Sequence, residues 1–170
     1  MTKVLQTLML GFVLMAASFA GMAADQVLRV HLEGIGDGDT IYVRNTEQQA
    51  TYRVRFAMID APEKTQDYGM QAKQALQQLL RGSGVLTLHV HGTDRYGRLI
   101  AIVEDERQRN INLLMVNQGA AWVYSQYAKR PEYSDYYGPL SAAEKNARMQ
   151  RLGLWANPDA IAPWQFRRSE

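Results

Sequence analysis

The sequence predicts a mainly β, α+β fold: a five-stranded Greek-key barrel accompanied by about three helices. Three observations carry this expectation. Apolar and polar residues alternate along the first third of the chain beyond its leader. Turns rich in glycine, asparagine and aspartate cut that alternation into short strands. Apolar residues at helical spacing then occur once between the third and fourth strands and again after the fifth.

The first strand spans 28–32, where Leu28, Val30 and Leu32 alternate with Arg29 and His31, and it runs into Gly34-Ile35-Gly36-Asp37-Gly38. A second strand, 40–44, is rich in β-branched and aromatic residues, and 45–49 is a polar turn. In the third, 52–58, Tyr52, Val54, Phe56 and Met58 alternate with Arg53, Arg55 and Ala57. It stops at Asp60-Ala61-Pro62, because proline lacks a ladder donor. Ala72, Ala75, Leu76, Leu79 and Leu80 mark one face of a helix, and Gly82 suits the residue past its end. Strands follow at 84–91 and 98–103 around a turn at 94–97. A short helix covers 112–118 with Gly119 as its stop, and a last helix covers 140–151 with Leu140, Ala143 and Ala147 inward. Residues 129–138, with proline and several tyrosines, read as the longest loop. Three strands, a helix, two strands and then helices is the order of an OB-type barrel.

Residues 4–24 carry no charge and follow Lys3, and the apolar stretch ends in small residues. This pattern predicts a secretory signal peptide over 1–23. Cleavage after Ala23 puts Gly21 and Ala23 in the two small-residue positions, whereas cleavage after Ala24 puts Met22 in the first. A membrane anchor is the other reading of so long an uncharged run, and Gln6, Thr7 and Ala16-Ala17-Ser18 weigh against it. The expected product is a single domain, 24–170, in the periplasm or outside the cell, free of the membrane. Loss of Lys3 lowers the formal charge from +2 to +1. That value does not announce a polyanion binder. The absence of cysteine excludes disulfides, a thiolate zinc site, a lipoprotein anchor and a cysteine nucleophile.

If the hairpin of strands two and three turns near Gln48, Asp39 lies opposite residues 57–60 and close to Asp60. Two carboxylates beside a glycine-rich turn suit a hard cation such as calcium, with backbone oxygens and water completing the shell. Spacing alone favours the plainer reading, with Asp37 and Asp39 as turn residues and Asp60 as a strand terminator. An EF-hand is excluded, since Gln48 stands where a loop begun at Asp37 needs glutamate. Arg55, Glu63 and Arg98, taken singly, read as solvated charges. His89 and His91 share a strand face, with no third ligand in sight.

Taken together, the strings Asp37-Gly38-Asp39-Thr40, Arg55-Phe56-Ala57-Met58-Ile59-Asp60-Ala61-Pro62-Glu63 and Asp94-Arg95-Tyr96-Gly97-Arg98 resemble the staphylococcal (micrococcal) nuclease family, the thermonuclease-like domain. Ile111-Asn112, Gln118-Gly119-Ala120-Ala121, Glu144, Ala147 and Leu152-Gly153-Leu154-Trp155 extend the resemblance over about 27–155. It implies calcium-dependent hydrolysis of DNA and RNA, leaving 3′-phosphate ends. By position it implies Asp39 and Asp60 as calcium carboxylates, Ala61 as a backbone-carbonyl ligand, and Asp37 as the carboxylate that orients metal-bound water. Arg55 and Arg98 match the two catalytic arginines, and Glu63 the catalytic carboxylate. Arg95, Tyr96 and Tyr127 match substrate contacts. The second nucleotide-facing tyrosine is replaced by Ser125, with Tyr124 beside it. DNA and RNA are the expected partners, no stable protein partner is expected, and the chain is expected to be a monomer. The alternative is a non-catalytic OB-fold module that only binds nucleic acid.

Overall fold

A computed structural model of the chain describes residues 26–169. The expected leader and its cleavage point lie outside the described residues. Strands β1 (Gln26–Ile35), β2 (Thr40–Asn45), β3 (Ala50–Phe56), β5 (Val85–Thr93) and β6 (Leu99–Glu104) close a barrel in the order β1-β2-β3-β6-β5. All neighbours are antiparallel except β3 and β6, which run parallel through Val54–Leu99, Arg55–Ile100 and Phe56–Ala101. The expected five-stranded barrel is therefore present. Period-2 alternation sends Leu28, Val30, Ile41, Val43, Val54, Phe56, Leu86 and Leu88 into its core.

Outside the barrel, β4 (Ile59–Asp60) pairs with β7 (Trp122–Val123) as a two-stranded ribbon. Helices α1 (Gly69–Leu79), α2 (Ile111–Asn117) and α4 (Ser134–Met149) are the three the sequence predicts. α3 (Ser125–Ala128) and α5 (Pro163–Ser169) are additional. Residues 129–138 are not a long loop. A 3₁₀ turn at Pro131–Tyr133 leads directly into α4, because Tyr133 is buried against the core and draws the segment in. Gly138 and Pro139 remain on the exposed side of α4, where the carbonyl that proline leaves unpaired can reach water.

The third strand also ends earlier than its alternation suggests. Met58 adopts φ 66°, so the chain turns after Phe56 and starts again as β4. The hairpin register places Thr40 opposite Arg55, and the Phe56 amide donates to the Asp39 carbonyl at 2.8 Å. Asp39 thus faces Phe56, not residues 57–60. Asp60 reaches the site by the turn and not by the ladder.

Asn112 fastens that turn. It is wholly buried at the start of α2, where the Asn110 side chain caps the helix by accepting from the Leu113 amide. Its Nδ2 donates to the carbonyls of Ala57 and Ala101, at 3.0 and 3.2 Å, and its Oδ1 accepts from the Val103 amide at 3.0 Å. One side chain therefore ties the β3–β4 turn to β6. Replacing Asn112 with Ala removes all three bonds, the Ala101 carbonyl keeping only the Ala57 amide, and is expected to cost about 1–3 kcal/mol. Urea unfolding measures this; a stability equal to wild type would contradict the assignment.

Candidate active site

The turn after β1, the β3–β4 turn, the loop before α1 and the β5–β6 turn open onto one cleft of about 900 Å³. All ten residues singled out from the sequence line it: Asp37, Asp39, Arg55, Asp60, Ala61, Glu63, Arg95, Tyr96, Arg98 and Tyr127.

Arg55 lies at the centre. Its side chain is only 13% exposed, so the expectation of a solvated strand arginine does not hold. Nη1 pairs with Asp39 Oδ2 at 2.9 Å and donates to the carbonyls of Phe56 and Ile59 at 3.1 and 2.9 Å. Nη2 donates to Asp60 Oδ1 at 2.5 Å. Burial opposes the charge on Arg55, but Asp39, Asp60 and Asp37 together outweigh it and hold the guanidinium above its ordinary pKa. Burial pushes the Asp39 carboxyl up to about 8, against the opposing pull of Arg55. A divalent cation would oppose that push, because it favours the carboxylate.

Local backbone sets these groups in place. Asp37 Oδ1 accepts from the Asp39 amide at 3.1 Å, bending the loop between β1 and β2. Asp39 Oδ2 accepts from the Ala61 amide at 2.6 Å, and Oδ1 from the Thr40 hydroxyl at 3.2 Å. The loop packs so closely that a Cβ on Gly38 would stand 2.6 Å from the Ala61 Cβ and 2.9 Å from that of Ala72. This contact explains why small residues occupy all three positions. On the far side of Pro62, Gly69 begins α1 where a Cβ would fall 1.8 Å from the Glu63 carbonyl oxygen. Buried Gln66 also accepts from the Glu63 amide at 3.1 Å. Glu63 is therefore carried on a folded turn.

Across the cleft, Asp94 organises Arg98. Asp94 Oδ2 accepts from Arg98 Nε at 2.7 Å, while Oδ1 accepts from the amides of Tyr96 and Arg98 at 2.9 and 3.0 Å. This hold on Nε leaves the two terminal amino groups of Arg98 to face a ligand. Tyr96 is 61% exposed, with Arg95 4.8 Å and Arg98 5.5 Å from its ring centroid. At the opposite rim, Tyr127 packs edge-on to Tyr124 and carries Arg130 4.5 Å from its ring centroid.

One participant escaped the sequence reading. Arg167, on α5, donates to both oxygens of Asp60 and to Glu63. Its segment has no apolar period. The available signals were Pro163, suited to open a helix, and the closely spaced aromatics Trp164 and Phe166.

Asp39, Asp60 and a nearby carbonyl form an all-oxygen donor set, which suits a hard divalent cation. Positively charged guanidinium groups already face both carboxylates, so the position accepts positive charge. Among the described residues no group of three or more His, Cys, Asp or Glu is placed to hold a metal. Backbone oxygens and water must therefore complete the shell. A cleft lined by six arginines beside its carboxyl groups, with exposed tyrosine rings at its rim, fits a strand of nucleic acid.

The family model for staphylococcal nuclease homologues matches residues 53–157. The chain is 43% identical over 136 residues to an uncharacterized endonuclease of Haemophilus influenzae, covering 80% of this chain and 71% of that protein. It is 42% identical over 141 residues to the micrococcal nuclease of Shigella flexneri, covering 78% and 76%. A probable staphylococcal-like nuclease of Oryza sativa subsp. japonica is 37% identical over 119 residues, covering 70% and 33%.

The Asp94 clasp has a pH signature. Burial opposes its charge, yet hydrogen bonds from Arg98 and Tyr96 outweigh burial and hold its carboxyl below the ordinary 3.8. A lowered carboxylate contributes stability that is complete above its unfolded value and lost as pH falls through its folded one. The stability gap between wild type and Asp94→Asn should be full at pH 7 and shrink as pH falls below about 4. Urea unfolding of both proteins measures it, and a gap independent of pH would contradict this role.

Proposed function

Because the chain belongs to the staphylococcal nuclease homologue family, and is therefore a nuclease of the hydrolase class, we propose that it is an exported calcium-dependent enzyme that cleaves DNA and RNA to 3′-phosphate and 5′-hydroxyl ends. The observation that supports this reading best is the convergence of Asp39, Asp60, Arg55, Glu63 and Arg98 on one cleft. A barrel that only bound nucleic acid would have no use for buried paired carboxylates beside two arginines and a glutamate.

Asp39 and Asp60, with the Ala61 carbonyl, would hold the calcium. When bound, the ion supplies positive charge against the scissile phosphate and the extra charge of its transition state. Asp37, bonded to the Asp39 amide, would orient water beside the ion. Arg98 would grip the equatorial phosphate oxygens as a pair through its two terminal amino groups, which lysine cannot do, and Arg55, tied to Asp39 and Asp60, would set its charge against the same phosphate. Glu63 orients the attacking water or takes its proton. Water attacks phosphorus in line and gives up its proton, the bond to the 5′ oxygen breaks, and that oxygen takes a proton from solvent to leave as the hydroxyl. Tyr96 and Arg95 take the terminal phosphate side, and Tyr127 stacks on a base with little regard for its identity.

The leader expected over 1–23 would direct the enzyme to the periplasm or the medium, where calcium is plentiful enough to fill a weak site. Digestion of DNA and RNA by residues 24–170 with calcium, with magnesium and with a chelator tests the reading. Cleavage with calcium, lost on chelation, is expected. Activity that survives calcium removal would contradict the metal assignment, and no cleavage under any condition would favour the binding module. Glu63→Gln and Arg98→Lys should each keep the wild-type circular dichroism spectrum and lose about 10²- to 10³-fold in turnover. Near-normal turnover in either would remove that residue from the mechanism.

A further inference from the structure

Arg167 makes the strongest contacts that the mechanism leaves unused. Its Nη2 donates to Asp60 Oδ2 at 2.7 Å, and its Nη1 to Asp60 Oδ1 at 3.2 Å and Glu63 Oε1 at 2.6 Å. The helix that carries it is firmly docked. Ala162 and Pro163 are buried. Trp164 stacks on Tyr124 at 4.9 Å with the rings 3° from parallel, and meets Trp122 edge-on at 5.7 Å. Gln66, the residue that holds the Glu63 turn, donates to the Ile161 carbonyl at 2.6 Å. Active-site loop and C-terminal helix thus share a hydrogen-bonded joint.

A carboxylate offers about four lone-pair directions. Arg55 and Arg167 together direct three N–H groups at Asp60, which is only 1% exposed. One direction, on Oδ2, is left over, but a cation that takes it sits against two guanidinium groups of like charge, and that repulsion drives out the one less firmly held. Arg55 is enclosed by two backbone carbonyls and a second aspartate. Arg167 is 38% exposed and sits on a single surface helix. Arg167 is the group that yields.

We propose that Arg167 is a built-in competitor for the active-site calcium: it occupies Asp60 and Glu63 while the site is empty and sets the calcium concentration at which the site fills. The proposal rests on the calcium reading above. Asp37, Asp39, Asp60 and Glu63 are four of the five carboxyl groups that line the cleft, the fifth being Asp94. Arg167 adds the second paired guanidinium that keeps the metal-free arrangement together. Apparent affinity falls by the fraction of molecules in which the arginine has swung away. A site closed nine times in ten therefore binds calcium about tenfold more weakly than an open one.

Calorimetric titration with calcium chloride tests this directly. Arg167→Ala should bind calcium about tenfold more tightly than wild type, with Arg167→Lys in between. Trp164→Ala, which loosens the helix without touching a carboxylate, should shift affinity in the same direction. In urea, Arg167→Ala should be less stable than wild type without calcium and nearly equal to it when saturated. Calcium affinity that is unchanged or weaker in a folded Arg167→Ala protein would overturn the proposal. Unchanged affinity with a fall in turnover would make Arg167 a phosphate-gripping residue instead. If neither wild type nor variants bind calcium, the calcium reading itself fails, and the competition with it.

Discussion

The buried guanidinium of Arg55 is the interaction on which the site depends. It reaches the cleft from β3, and its two amino groups meet Asp39 from the start of β2 and Asp60 from β4. Two backbone carbonyls of the β3–β4 turn complete its surroundings. Buried ion pairs are poor stabilisers, because desolvation offsets most of their attraction. Removing one partner is another matter, since the remaining charges are then buried and unpaired. The barrel carries this arrangement as functional chemistry on a scaffold stabilised by its apolar core.

The fold meets that demand with a few short-range devices. Met58 takes a left-handed conformation so that β3 can stop beside Arg55 and restart as β4. Asn112 holds the resulting turn against β6. Gly38, Ala61 and Ala72 pack closely enough to bring the aspartate loop onto the Ala61 amide. The charged side chains are placed by these turns and close approaches of the backbone, with the Asn112 amide holding the turn.

Much of this was legible in the sequence because it is local. The inward faces of the strands follow two-residue alternation, and Asp37, Asp39, Asp60, Glu63 and Arg98 stand in short strings whose combination resembles one nuclease family. What could not be read depends on contacts distant in the chain. The 45–50 turn closes one residue earlier than its polar composition suggests, which sets Asp39 opposite Phe56, and nothing local in Ala57-Met58 announces the turn that brings Asp60 to the site. Gly138 and Pro139 suggest a loop, yet burial of Tyr133 folds the segment into a helix. Arg167 acts more than a hundred residues from its partners, through a helix docked by aromatic stacking that no periodic pattern foretells. The small net charge was also a poor guide, since the arginines that matter are set against particular oxygens.

The central claim is that one divalent cation binds between Asp39 and Asp60 and takes over carboxylate oxygens that guanidinium groups hold in its absence. Crystals grown with manganese as an anomalous stand-in for calcium test this most directly. The account predicts an anomalous peak within about 2.6 Å of an oxygen from each aspartate and of the Ala61 carbonyl, with Arg167 withdrawn from Asp60. A peak elsewhere in the cleft, or metal bound with both guanidinium contacts to Asp60 intact, would contradict it.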